Sequence, residues 1–361
     1  MPSQYKSPLH QMALTTPTDF WNDSCSPSEL SEALDHGAVG ATSNPVIVYN
    51  VLKNELPTWR PRLLELIHQN PTWSESVLAW KIFEEVTLAG ARLLLPVFEQ
   101  HQGLKGRMSI QTDPANYRNT AAQVEQALRF HRLAPNMQVK LVVTQAGLQA
   151  IEEATYQGIT ITATVCFTVA QSIAVAEAVE RGLQRRSKEG KETAHLIPVC
   201  AFMIGRTDDW IRLLIQRDQL DLPAEYAGWA GLACLKNAYQ LYRQRGYRTR
   251  LLAAAFRSVR HWSELAGGDL VLTIPLEWQR KINASGIELR DRMQEPIPPE
   301  VFEALYRQVP DFRRAYEPEG LQIEEFEGYG ATLRTMRSFI GAMHDLTGLV
   351  RDVMLPDPDI R

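Results

Sequence analysis

The feature that most constrains this chain is an alternation of short apolar or β-branched runs with stretches of helical apolar spacing. The runs fall at 19–23, 38–42, 107–112, 137–143, 159–165, 196–203, 250–256 and 269–273. Helical patterns fill the gaps: to about 36, over about 56–102, 116–132, 145–157, 168–186, 208–217 and 224–245. Two helix starts are written as capping boxes, Ser26-Pro27-Ser28-Glu29 and Thr72-Trp73-Ser74-Glu75. In the second, Val77, Trp80, Val86, Leu88 and Leu95 supply the apolar face; Thr144 and Thr168 are further caps. Eight strand–helix units predict the α/β class and a closed (β/α)8 TIM barrel with extra helices. A doubly wound open sheet is the rival, but it wants a Gly-rich phosphate turn near its first strand. Neither G-x-G-x-x-G nor a Walker loop occurs here.

The predicted organisation is one barrel domain over 18–361, including C-terminal helices from about 285. Residues 1–17, rich in Pro, Ser, Thr and Gln, read as a flexible arm. The tail carries an amphipathic helix at 326–351, with Phe326, Tyr329, Leu333, Met336, Ile340 and Met343 at three- and four-residue steps. That stripe fits packing on the barrel or an interface between copies, so monomer and homodimer are both compatible.

Composition excludes several classes. A formal net charge of −4 and the lack of a long basic tract argue against nucleic acid. The densest positive stretch, Arg181 to Lys188, ends a helical pattern, where cations suit the helix dipole. Cys25, Cys166, Cys200 and Cys234 are widely spaced, without C-x-x-C, and no H-E-x-x-H occurs; neither a metal nor a disulfide framework is expected. No apolar run of about 18 residues and no signal core appears, so a cytoplasmic protein without membrane attachment is expected.

Functional residues of a barrel sit at the C-terminal ends of its strands. Asp23, Asn44, Gln111, Lys140, Thr162 with Thr164, Arg206 and Arg257 are the polar residues there. Lys140 is the sharpest, because it lies inside Val139-Lys140-Leu141-Val142-Val143. Burial there lowers an amine's pKa, and a neutral amine can attack a ketose carbonyl to form an iminium. The alternative is a strand-end lysine reaching solvent. Asp23 suits a general base or a helix N-terminal acid. Asn44 precedes Pro45 and can start a turn. Thr164 suits a strand simply by being β-branched. Arg206 and Arg257 can hold a phosphate bidentately or serve as ordinary surface arginines.

Taken in order, the motifs resemble the transaldolase family. Phe20-Trp21-Asn22-Asp23 is similar to its opening strand, and Gly40-Ala41-Thr42-Ser43-Asn44-Pro45 to its G-x-T-S/T-N-P motif. Gln138-Val139-Lys140-Leu141 falls where the family has its lysine strand; Gly147-Leu148, Ala150-Ile151, Gly158-Ile159, Thr164 and Phe167-Thr168 continue it. Gly205-Arg206 with Asp209-Trp210, and Ala254-Ala255-Phe256-Arg257-Ser258, resemble two later segments. The resemblance covers roughly 19–280.

It implies a cofactor-independent transferase of carbohydrate metabolism, acting in the pentose phosphate pathway on phosphorylated ketose and aldose substrates. It implies Lys140 as the Schiff-base lysine, Asp23 as the acid/base and Thr164 as the residue positioning a catalytic water. Asn44 would hold substrate, and Arg206 and Arg257 would grip the sugar phosphate. Three positions depart. Gln111 stands where the family has a glutamate, and a Gln can hold a water but cannot shuttle its proton. Thr162 replaces an asparagine and Ala201 a serine, at positions that hold the donor's terminal hydroxymethyl group. Related fructose-6-phosphate aldolases also carry the Gln and the Ala, but have a tyrosine where this chain has Met203. The readings that follow are a transaldolase, a Schiff-base aldolase or ketol transferase with an altered donor or acceptor, and a non-catalytic sugar-phosphate-binding barrel.

Overall fold

In the computed structural model, which describes residues 5–359, eight parallel strands close on themselves in chain order. They are β1 (Asp19–Asn22), β2 (Gly40–Thr42), β3 (Arg107–Gln111), β4 (Met137–Val142), β5 (Ile161–Cys166), β6 (Val199–Phe202), β7 (Arg250–Ala253) and β8 (Val271–Ile274). Closure is made by β8 pairing back onto β1, Asp19 against Val271 through Asn22 against Ile274. Helices cover the outer face and side chains fill the inner one. Every strand residue except Arg250 is therefore buried, and apolar residues alternate with buried polar ones along several strands. The (β/α)8 barrel predicted from the alternation is the fold observed.

Fifteen α-helices surround or extend it among the described residues. These are α1 (Pro8–Thr15), α2 (Pro27–Asp35), α3 (Pro45–Asn54), α4 (Leu56–Gln69), α5 (Glu75–Gln100), α6 (Thr120–His131), α7 (Gln145–Tyr156) and α8 (Val169–Lys188). Then come α9 (Ile204–Arg217), α10 (Ala230–Arg245), α11 (Arg260–Ser263), α12 (Leu276–Asn283), α13 (Pro299–Gln308), α14 (Pro310–Tyr316) and α15 (Gly330–Met354). Their starts follow local chemistry. Ser26, Ser74, Thr144 and Thr168 each accept the backbone N–H three residues on, satisfying a donor that the helix leaves orphaned. The positive run ending α8 is used internally: Arg181 and Arg185 pair with Glu152, and Arg186 donates to the Tyr156 and Glu192 carbonyls. Among the described residues, no helix is long and apolar enough to cross a membrane.

Three expectations are corrected. The described part of the arm is ordered: Ser7 caps α1, which buries Leu9 and Met12, and Trp262 donates its indole N–H to the Met12 sulfur at 3.2 Å. Polar composition concealed a helix start with Pro at its first position; residues 1–4 lie outside the described residues. The stretch expected as helical over 56–102 is two helices, α4 and α5, separated at 70–74, and α3 precedes them from Pro45. The tail helix begins at Gly330 rather than 326, and its buried face extends beyond the expected stripe, of which Phe326, Tyr329, Met336 and Met343 are buried. It buries Thr332, Thr335, Met336, Phe339, Met343 and Leu346, whereas Leu333 is 50% exposed. Two threonines face inward because partners await them there, Gln171 for Thr332 and Arg206 for Thr335. Hydrophobic spacing cannot register a buried polar side that is satisfied by hydrogen bonds. The helix lies back over its own barrel, against α3, α5 and α9.

Candidate active site at the mouth of the barrel

Side chains alternate across a strand, and in a barrel those from alternate strands meet inside. Lys140 obeys this rule. Its Nζ passes β3, the strand next to its own, and donates to the Ser43 carbonyl at the end of β2, 3.1 Å away. The same layering joins Ser109 of β3 to Thr162 of β5 (2.5 Å), and Thr42 of β2 to Thr273 of β8 (3.1 Å). The inward positions of these strands are unusually polar, which an apolar-filled barrel centre would not require.

Lys140 is 5% exposed. Burial lowers its pKa from 10.5 to about 8, and the neighbouring Asp23 charge opposes part of that fall. Asp23 sits just past β1 and accepts a hydrogen bond from the Thr42 hydroxyl at 2.6 Å. Its carboxyl is held above the usual range, chiefly by burial, against the pull of Lys140, Thr42, Arg206 and Arg257. Amine and acid are thus each pushed toward the neutral form. That is the condition in which a lysine can act as a nucleophile and a carboxyl can exchange protons near neutrality.

One cavity of about 150 Å³ collects most of the predicted residues: Asp23, Asn44, Lys140, Thr164, Ala201, Arg206 and Arg257 line it. Asn44 caps α3 by accepting from the Ile47 N–H at 3.0 Å. Its oxygen is committed, so its NH2 group is what it can offer the cavity. Two predicted residues are not on the wall. Thr162 has its hydroxyl taken by Ser109. Gln111, directly opposite Lys140 in register, is fully buried, and neither its amide nitrogen nor its oxygen has a hydrogen-bond partner among the described residues.

Backbone irregularities aim the wall. The β5–β6 register shifts between Ala163 and Cys166, and Val165 takes φ 63°. A β-branched residue in that region costs of order 1–3 kcal/mol and persists only where its surroundings enforce it. It directly follows Thr164. Ala255, also at φ 63°, lies two residues before Arg257. Gly205 lets the start of α9 touch this turn. A Cβ on Gly205 would stand 1.8 Å from the Ala255 carbonyl oxygen and 2.7 Å from the Arg257 side chain. Gly205→Ala is therefore expected to cost about 1–3 kcal/mol in denaturant unfolding, as overpacking against backbone does.

The far wall is cationic. Arg206 donates to Thr335 at 3.4 Å and lies 5.3 Å from the Phe339 ring centroid. Its pKa falls to about 10, first through burial and then through the charge of Arg257. Arg257 donates from Nε and Nη2 to one oxygen of Asp209, at 3.0 and 2.8 Å. Two guanidiniums that repel one another at a cavity wall favour an anion between them. Sequence reasoning missed Thr335 and Phe339. The only signal was a Thr and a Phe four residues apart, on a face of the tail helix that the apolar stripe did not include.

With this geometry in hand, comparison with known proteins is specific. The family model for "Transaldolase/Fructose-6-phosphate aldolase" matches residues 20–322. A "Transaldolase" of Thiobacillus denitrificans is 27% identical over 317 residues, 83% of either chain. "Transaldolase 2" of a Nostoc species is 29% identical over 283 residues, covering 68% of this chain and 72% of that one. A "Transaldolase" of Mycobacterium tuberculosis is 27% identical over 229 residues, 63% of this chain, and the match spans only 61% of that relative's length. A family model spanning β1 to beyond β8, together with a barrel of matching form, means that this chain belongs to the transaldolase/fructose-6-phosphate aldolase family.

Proposed function

We propose that this chain is a transferase that moves a dihydroxyacetone unit between phosphorylated sugars through a Schiff base on Lys140. The observation that supports this best is the inward-facing amine with a pKa of about 8, sharing one cavity with the Asp23 carboxyl. Neutral Lys140 attacks C2 of a ketose phosphate, and loss of water gives the iminium. Ionised Asp23 takes the proton of the C4 hydroxyl. The C3–C4 bond breaks, its electron pair passes to the iminium as an enamine, and the aldose phosphate leaves. The enamine then adds to an acceptor aldehyde, Asp23 returns the proton, and water releases the new ketose. Thr164 positions the water of the dehydration and hydrolysis steps, Asn44 offers its NH2 group to a substrate hydroxyl, and Arg206 and Arg257 take the phosphate. Phosphorylated sugars and four unpaired buried thiols suit the cytoplasm.

A second reading, an aldolase or ketol transferase with an altered donor, has a specific observation in its favour. Ala201 offers no hydroxyl, and Thr162, hydrogen-bonded to Ser109, does not line the cavity, so the donor's terminal hydroxymethyl group lacks both partners there. A barrel that binds sugar phosphate without turnover needs neither a depressed amine nor a raised carboxyl beside it.

Borohydride added with fructose 6-phosphate is expected to fix a stable adduct on Lys140, seen by mass spectrometry of the digested protein. If no ketose yields an adduct, both catalytic readings fail. Transfer from fructose 6-phosphate to erythrose 4-phosphate supports the first reading; cleavage without transfer supports the second. Gln111→Glu places an ionisable group opposite Lys140 and is expected to raise the transfer rate by roughly a hundredfold, the low end of what a positioned proton carrier contributes. An unchanged rate would show that Gln111 takes no part in the proton path.

A further inference from the structure

The phosphate role of Arg257 belongs to the reading above, but what holds Arg257 in place lies outside it. Behind the turn is a buried pair that is not among the residues lining the cavity. His261, on α11, has a fully buried ring, and the Asp208 side chain, on α9, is 1% exposed. Their Nε2 and Oδ2 are 2.8 Å apart. Asp208 also accepts the Gly231 backbone N–H, from α10, at 2.8 Å. The other ring nitrogen, Nδ1, lies 3.3 Å from the backbone nitrogen of Arg257.

A backbone N–H can only donate, so Nδ1 must be an unprotonated acceptor and Nε2 must carry the ring proton, which it donates to Asp208. The network thus has one direction: Arg257 N–H to Nδ1, then Nε2–H to the carboxylate. It anchors the backbone of a turn already bent by Ala255 and packed against Gly205. The Phe256 ring meets His261 edge-on at 5.7 Å, which fixes the plane of the imidazole. The guanidinium is held separately, by Asp209.

We infer that Asp208 and His261 are positioning residues for the anion-binding arginine: they set the backbone of Arg257 through a neutral, Nε2-protonated imidazole. The inference rests on Arg257 gripping the substrate phosphate. Reversing the tautomer, or removing the Nδ1 acceptor, sets two donors face to face or leaves the N–H unpaired. The turn then relaxes and the guanidinium leaves its geometry. The chemistry at Lys140, on the other side of the cavity, is touched less.

Three near-isosteric variants separate the roles. In Asp208→Asn the amide NH2 faces Nε2 and drives the proton to Nδ1. His261→Gln keeps a donor toward Asp208 but loses the acceptor toward Arg257. His261→Asn keeps an acceptor near Nδ1. With fructose 6-phosphate as the donor, the first two are expected to raise KM about tenfold while kcat stays within about threefold, the signature of lost binding rather than lost chemistry. His261→Asn is expected to recover most of that loss. Arg257→Ala, measured alongside, tests the underlying reading. If it leaves KM unchanged, the phosphate role fails and the positioning role with it. If it raises KM while folded Asp208→Asn and His261→Gln do not, the phosphate role stands and the positioning role is overturned. Nitrogen-15 NMR of the unaltered protein gives a readout independent of folding: an Nε2–H ring is expected, and an Nδ1–H ring overturns the inference.

Discussion

Lys140→Met is expected to abolish borohydride trapping and to lower turnover by roughly 10⁴-fold or more, since removing the covalent nucleophile removes the reaction path itself. The unaltered protein should show the matching pH dependence. Only the free amine attacks, and the amine's pKa is about 8. The single-turnover trapping rate should therefore rise with pH up to about 8 and level off above it. A plateau beginning only near 10.5 would mean that the amine is not depressed. The same shift has a stability consequence of defined sign. The folded chain releases this proton near 8 and the unfolded chain near 10.5, so the unfolded state binds more protons between those values. Stability contributed by this site rises with pH across that window, and the lysine is a net cost at neutral pH. Lys140→Met should therefore unfold at higher denaturant, by roughly 1–3 kcal/mol, after allowance for the counter-charge Asp23 loses. An inactive variant that is also more stable is hard to explain by misfolding.

Asp23→Asn should behave oppositely at the covalent step. Asparagine can still accept from Thr42, so the cavity wall is kept. It cannot take a proton from the C4 hydroxyl, and kcat for carbon–carbon cleavage is expected to fall about 10²- to 10⁴-fold. Trapping of the ketose on Lys140 should persist, because the iminium forms before that bond breaks. The Asp23 charge also raises the amine's pKa, so its removal should move the trapping midpoint below 8. Loss of trapping in Asp23→Asn, or an upward move of that midpoint, would remove Asp23 from the acid/base role and return it to a structural one.

Much of this was legible in the sequence. Strand runs, capping serines and threonines, and the strand-end rule are local signals, and they led to Asp23, Lys140, Arg206 and Arg257, which line one cavity. The failures are as instructive. The N-terminal arm was read from composition, yet three well-placed residues, Ser7, Leu9 and Met12, make it a helix against the barrel. The tail stripe was drawn through Leu333 rather than through Thr335 and Phe339, since periodicity weighs apolarity and knows nothing of a cationic wall awaiting partners. Gln111 and Thr162 were placed on the site by strand position and by the resemblance, and neither lines the cavity. Whether such a residue reaches the cavity depends on what faces it across the barrel, and Ser109 decided that for Thr162.

The sequence by itself determined the barrel and the inward placement of Lys140, because a side-chain period of two and eight strand–helix units are properties of neighbouring residues. It also carried the resemblance that identified the family. Only the tertiary structure decided what state those groups are in. The pKa of Lys140 comes from burial under the closed barrel and from Asp23, far away in the chain, and the setting of Arg257 comes from Asp208 and His261 on two further helices. Desolvation and hydrogen bonding act over a few ångströms of space, so they become defined only once the fold has brought those distant residues together.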